Sequence, residues 1–194
     1  MKDIIELTEE IRIFAQEHVK KSRYEHSIRV AETCARLCRM FALDDDVGYL
    51  AGVGHDMCKD FSDHELFDLA AKDGNPIIPY EKRNPALLHG RAAAVLMKEK
   101  FGIEDKDILE AVAYHTSGVM GMCDLSKCLF IADKIEPGRP QPTDEYRERL
   151  YKMNLDQMFY AVLYENYSYV LKKGYELFPT TEDLVKKYKV ALPD

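Results

Sequence analysis

Residues 46–60 read DVGYLAGVGHDMCKD, and the placement of His55 and Asp56 within them decides the fold. Val47, Ala51 and Gly54 recur at helical spacing, and the His55–Asp56 pair ends that run on the stripe a helix buries. The pattern predicts a helix over 46–58 capped by Asp44–Asp46. The same period continues outward in both directions. Helices are expected over 3–20, with Ile4, Ile5, Ile11, Phe14 and Ala15 near one stripe, and over 23–41, opened by a Ser22–Glu25 capping box. Ser62 and Glu65 open another over 63–73, closed by Gly74. The stretch 75–85 carries Pro76, Pro79 and Pro85 and reads as an irregular loop. Further helices are expected at about 86–100, 105–116, 124–134, 143–152, 155–173 and 181–188. No segment alternates apolar and polar residues between hairpin turns, so the expected class is all-α, a single compact helical domain over 1–194.

Composition narrows the function classes. The chain has 194 residues, 27 basic and 34 acidic, for a net charge of −7. With 46% hydrophobic and 31% charged residues it has the profile of a globular protein, and chains of this size bury roughly 70% of their unfolded surface. An acidic balance without a Lys/Arg run argues against a nucleic-acid duplex or an anionic membrane as partner. No apolar run approaches the ~20 residues that span a bilayer, and MKDIIELTEEIRIF carries acids where a signal peptide is apolar. Five cysteines without a C-x-x-C pair point to reduced thiols in the cytoplasm.

Four histidines and two aspartates sit where helices bury their apolar faces. His26 shares a stripe with Val30, Cys34 and Leu37; His89 continues to Ala93 and Leu96; His115 follows Ile108, Ala111 and Val112. Asp133 follows Leu125, Cys128, Leu129 and Ala132 in the same way. A buried polar group without a partner costs roughly 2–7 kcal/mol, and a charged one more. Backbone carbonyls can satisfy any one of these groups, but a shared metal centre satisfies all of them at once. Imidazole and carboxylate donors suit iron, manganese, nickel or zinc, and the lack of thiolate pairs argues against a structural zinc site.

The ordered set His26, His55–Asp56 and Asp133 resembles the H…HD…D signature of the HD superfamily of metal-dependent phosphohydrolases, with His89 and His115 matching members that hold two metals. YEHSIRV, HDMCK, LLHG, YHTSG and ADKIEPGR look like the YqeK subfamily, described as symmetrical bis(5′-nucleosyl)-tetraphosphatases. The resemblance covers about residues 20–175, which it makes the motif-bearing core, with the C-terminal helices packed on it. Gly52-Val53-Gly54 departs from the bulky aliphatics usual before the HD pair and is expected to loosen packing behind His55.

The resemblance implies an HD-domain helical fold and a dinuclear hydrolase of nucleotide phosphoanhydrides that cuts diadenosine tetraphosphate into two ADP. It implies that His26, His55, Asp56 and Asp133 hold one divalent transition metal, iron foremost, and that His89 and His115 hold a second with Asp56 bridging. Two ions ~3.5–4 Å apart lower the pKa of a water and clamp a phosphoryl oxygen. They also reverse the local field of a −7 protein, so that a polyanion can bind. Other readings are an HD-type phosphodiesterase or nucleotidase and a non-catalytic nucleotide sensor, the last at odds with a complete ligand set.

Lys59, four residues after His55, is either a helix-end lysine or, as the resemblance favours, a phosphate contact. Arg139 in EPGRP is a loop arginine or a bidentate phosphate ligand that acts with Lys59 and Asp56 in catalysis. Thr116, Ser117 and Gly118 either offer hydroxyl and N–H groups to phosphate or form a helix C-cap. His18 and His64 lie on charged surfaces, and Cys34 and Cys38 read as small core residues. Segment 155–173 carries two stripes, Leu155/Phe159/Val162/Val170 and Tyr160/Tyr164/Tyr167/Leu171, so it is core on both sides or a homodimer surface.

Overall fold

The computed structural model describes residues 3–190, 192 and 193. Its elements, in chain order, are α1 (Ile4–His18), α2 (Lys21–Met40), α3 (Asp45–Gly54), α4 (Asp63–Ala70), α5 (Pro79–Arg83), α6 (His89–Phe101), α7 (Lys106–Tyr114), α8 (Asp124–Ile135), α9 (Asp144–Leu150), α10 (Leu155–Lys172) and α11 (Thr181–Lys187). Short 3₁₀ turns lie at Ala71–Asp73 and Pro85–Leu88, and the described residues contain no strand. The all-α class is therefore as the periodicity predicts.

Helix starts follow local chemistry. The Asp44 carboxylate accepts from the N–H groups of Asp46 and Val47 at the head of α3. Ser62 and Glu65 form the expected reciprocal capping box on α4, and Asn154 with Gln157 forms another on α10. The Ser22–Glu25 box does not exist. The chain turns helical at Lys21, so Ser22 already lies inside α2, and Lys20 caps it without a side-chain bond.

Three other expectations change. The helix through the HD pair stops at Gly54 instead of running to 58, and successive i→i+3 bonds follow, from Met57 N–H to Gly54 O and Lys59 N–H to Asp56 O. Gly52 and Gly54 give the last turn little helical preference of its own. The 75–85 loop contains α5, because Pro79 fits the first helical position and the Glu81 carboxylate accepts from the Ile78 N–H at 3.0 Å. Ile5 faces solvent at 66% exposure.

Gly52 tightens the packing behind His55 where looseness was expected. A Cβ at Gly52 would lie 2.7 Å from the Ala31 nitrogen, so α2 and α3 cross backbone to backbone at that point. The buried side chains form one continuous cluster from Ile11 in α1 to Leu184 in α11, and Cys34, Cys38 and Cys128 lie within it. Leu155, Phe159 and Val162 of α10 belong to this core, whereas Tyr164 (48%) and Leu171 (49%) of its second stripe are exposed. No helix among the described residues is long and apolar enough to cross a membrane.

Candidate metal centre

Three histidines stand at helix ends: His55 just after α3, His89 at the start of α6, and His115 just after α7. Each has its Nδ1 against the carbonyl three residues earlier, Gly52 at 2.7 Å, Ala86 at 2.6 Å and Val112 at 2.8 Å. A carbonyl only accepts, so Nδ1 carries the proton and Nε2 keeps its lone pair. His26, within α2, has Nδ1 at 3.0 Å from Glu136 Oε1, and Arg29 Nε donates to the other oxygen of that carboxylate at 2.6 Å.

The four Nε2 atoms converge on Asp56. Its Oδ1 lies 3.0 Å from His89 Nε2 and 3.6 Å from His115 Nε2. Its Oδ2 lies 3.5 Å from His55 Nε2 and 3.8 Å from His26 Nε2. Asp133 Oδ1 is 3.1 Å from His26 Nε2 and 3.9 Å from His55 Nε2. Two compact donor groups result, His26/His55/Asp56 and Asp56/His89/His115, all buried and sharing Asp56.

A cation fits these donors. His55 Nε2 is buried and has no hydrogen-bond partner. His89 Nε2 and His115 Nε2 face each other at 3.0 Å, lone pair to lone pair once both Nδ1 protons are fixed. Burial pushes His55 down to about 3 and lowers His89. Burial works against ionising Asp56, but His55, His115 and His89 outweigh it and hold the carboxyl well below the usual range. Asp133 is likewise low, because Lys134, His26 and Arg139 overcome its burial. The lowered His55 and His89 and the ionised Asp56 and Asp133 suit these donors to a divalent metal.

A cavity of about 900 Å³ opens over the centre. Lys59 lies on its wall with Nζ 3.2 Å from His89 Nε2, although a turn and not the expected helix carries it there; burial lowers its pKa. Arg139 also lines the cavity, donating to Asp133 through Nη2 at 2.6 Å and to its carbonyl through Nε at 2.9 Å. Thr116 and Ser117 face the cavity. Gly118 corrects the phosphate reading: at φ +69° its N–H donates to Tyr114 O at 2.8 Å, so it closes the end of α7 as a helix cap. His18 and His64 are exposed, stacked on Phe14 and paired with Asp68 respectively.

Sequence reasoning missed four charged residues. Arg23 Nη1 donates to Asp56 Oδ2 at 2.9 Å, and Lys134 Nζ donates to Asp133 Oδ2 at 3.0 Å and His115 O at 2.7 Å. Both line the cavity. Glu136 and Arg29 orient His26 from behind. The available signal was spacing: Arg23 and Arg29 flank His26 at −3 and +3, one turn either side.

The sequence profile of the HD domain matches residues 23–138. Over 184 residues the chain is 33% identical to a symmetrical bis(5′-nucleosyl)-tetraphosphatase of Staphylococcus aureus, covering 93% of each chain. It is 31% identical over 173 residues to the Bacillus subtilis protein of the same description, covering 89% of this chain and 92% of that one. Among solved structures, a Clostridium acetobutylicum protein described as a predicted HD superfamily hydrolase involved in NAD metabolism superposes with a TM-score of 0.85. It is 28% identical and covers 93% of this chain and 95% of its own.

Proposed function

The chain belongs to the HD-domain family, among relatives that are symmetrical bis(5′-nucleosyl)-tetraphosphatases, and from that premise we propose that it hydrolyses diadenosine tetraphosphate into two ADP. The observation that carries the reading is Asp56, whose two oxygens face two different pairs of imidazole nitrogens. We assign His26, His55, Asp56 and Asp133 to one divalent ion and Asp56, His89 and His115 to a second. Iron is the first assignment within an N,O donor set that also suits manganese, nickel and zinc. When bound, two such ions supply Lewis acidity toward a phosphoryl oxygen and a water of lowered pKa.

The chain's own groups bind and orient the polyphosphate. Lys59, Arg139, Arg23 and Lys134 line the cavity and offset phosphate charge beside the centre. Arg139 keeps its guanidinium near Asp133 through the two bonds described above, so part of its fork is already oriented. Thr116 and Ser117 add hydroxyl donors at the wall. The donor set beneath is buried. We assign the enzyme to the cytoplasm, in keeping with five free thiols.

Chromatography of the first products tests the reading. ADP is expected as the sole early nucleotide and as a product inhibitor, since it fills the cavity its parent half occupied. Early equimolar ATP and AMP would refute symmetric cleavage.

A further inference from the structure

Arg147 of α9 is a buried cation that the reaction described above does not use. Its Nε donates to Ile135 O at 2.7 Å, and its Nη2 donates to Glu136 O at 3.1 Å and to Arg139 O at 3.5 Å. Nη1 reaches outward to the exposed carboxylate of Asp144, in the same helix, at 2.7 Å. A charge taken out of water needs partners, and a buried carboxylate is the usual one. Arg147 instead gives its inward nitrogens to main-chain carbonyls of a single turn, residues 135–139.

That turn leads out of α8 and carries Arg139. The last carbonyls of a helix have no partner within it. Ile135 O finds one in Arg147, and Glu136 O is shared between Arg147 and the Arg139 N–H at 3.0 Å. A second grip comes from α2: the Glu136 carboxylate accepts from the Gly138 N–H at 2.5 Å and from Arg29 Nε at 2.6 Å. What these bonds place is Arg139. Its guanidinium reaches back to Asp133 at the cavity wall, and it can do so only while the turn keeps its Cα where it is. The bonds to Asp133 engage Nε and Nη2 and leave Nη1 for phosphate.

We propose that Arg147 is a positioning residue for the reaction: through the carbonyls of the 135–139 turn it holds Arg139 in the orientation that receives the polyphosphate. This rests on the reading of Arg139 as a phosphate contact and names what keeps that contact preorganised.

Calorimetric binding of ADP to the full-length, metal-loaded protein tests it in wild type, Arg139→Ala, Arg147→Met and the double variant. Arg139→Ala is expected to weaken ADP roughly 10–100-fold, the scale of a lost hydrogen bond to a charged group. Arg147→Met keeps an unbranched stem and removes the donors. It is expected to weaken ADP roughly 5–30-fold, as Arg139 regains the rotamer freedom of a long side chain. In the Arg139→Ala background the same change is expected to cost less than about twofold, because the residue it positions is gone. Arg147→Lys keeps the charge and one donor, and it serves where the apolar variant does not fold. It is expected to weaken ADP several-fold alone and not at all beside Arg139→Ala. Metal content and melting temperature establish that each variant is loaded and folded. A residue that only stabilises the fold would lower the melting temperature and leave the losses in affinity additive. Additive losses overturn the proposal, as does wild-type affinity in both Arg147 variants. Wild-type affinity in Arg139→Ala overturns it too, while symmetric cleavage still stands or falls on the product chromatography.

Discussion

Asp56 divides its two oxygens between two histidine pairs, so under the two-ion assignment proposed above one substitution there reaches both sites. Asp56→Ala is expected to abolish activity and leave less than one metal per chain, whereas His26→Ala keeps the His89/His115 side loaded; elemental analysis of protein purified without chelators separates the two. Lys59 touches no carboxylate ligand, so Lys59→Ala is expected to keep its metal while kcat/KM falls roughly 10²–10³-fold, the scale of a lost transition-state donor. Protonation acts on the same atoms. His55 has a folded pKa of about 3 against an ordinary 6.5, so between those values the unfolded chain binds more protons. Asp56 and Asp133, held low when folded, add to the same slope below the ordinary carboxylate range. The metal-free protein is therefore expected to lose stability as pH falls from about 6.5 toward 3, with a shallower slope in His55→Gln, by melting temperature against pH. Candidate donors such as His89 were legible because a polar residue on an apolar stripe breaks its own pattern. Arg23 and Tyr146 break none: an arginine at a helix start and a tyrosine in a short charged helix look like surface until the cavity brings them in.

Helix by helix, sequence signals worked where local chemistry alone sets the boundary. The Ser62 box formed, and the Ser22 box failed although its residues have the same spacing, because the chain leaving α1 re-enters helix two residues earlier. Ser62→Ala is therefore expected to cost about 1 kcal/mol and Ser22→Ala no more than a few tenths, measured by chemical denaturation. The 46–58 prediction overran because apolar period continues past Gly54 while the backbone turns. The close approach of Gly52 to Ala31 was out of reach of any single-sequence pattern, since it is a relation between two helices. The glycines that looked like missing bulk are what lets α3 bring His55 within reach of His26, whose ring lies 5.4 Å away.

The candidate donors come from α2, from the ends of α3 and α7, from the start of α6 and from α8, so metal held by them would tie five parts of one hydrophobic cluster together. We expect one cooperative unfolding transition, lowered in temperature but not split by chelation, because a ligand of the native state stabilises it by RT ln(1 + [L]/Kd). Two calorimetric peaks would refute a single unit. One asymmetry in this arrangement bears on descent. Three imidazoles are oriented by main-chain carbonyls, which side-chain mutation leaves in place, while His26 alone is oriented by a side chain, Glu136. Under the two-ion assignment, single-codon changes would retune the grip on one ion through position 136 and leave the ring anchors of the other site intact. A lineage adapting to a different metal supply has its adjustable half of the centre built in, next to a half it inherits fixed.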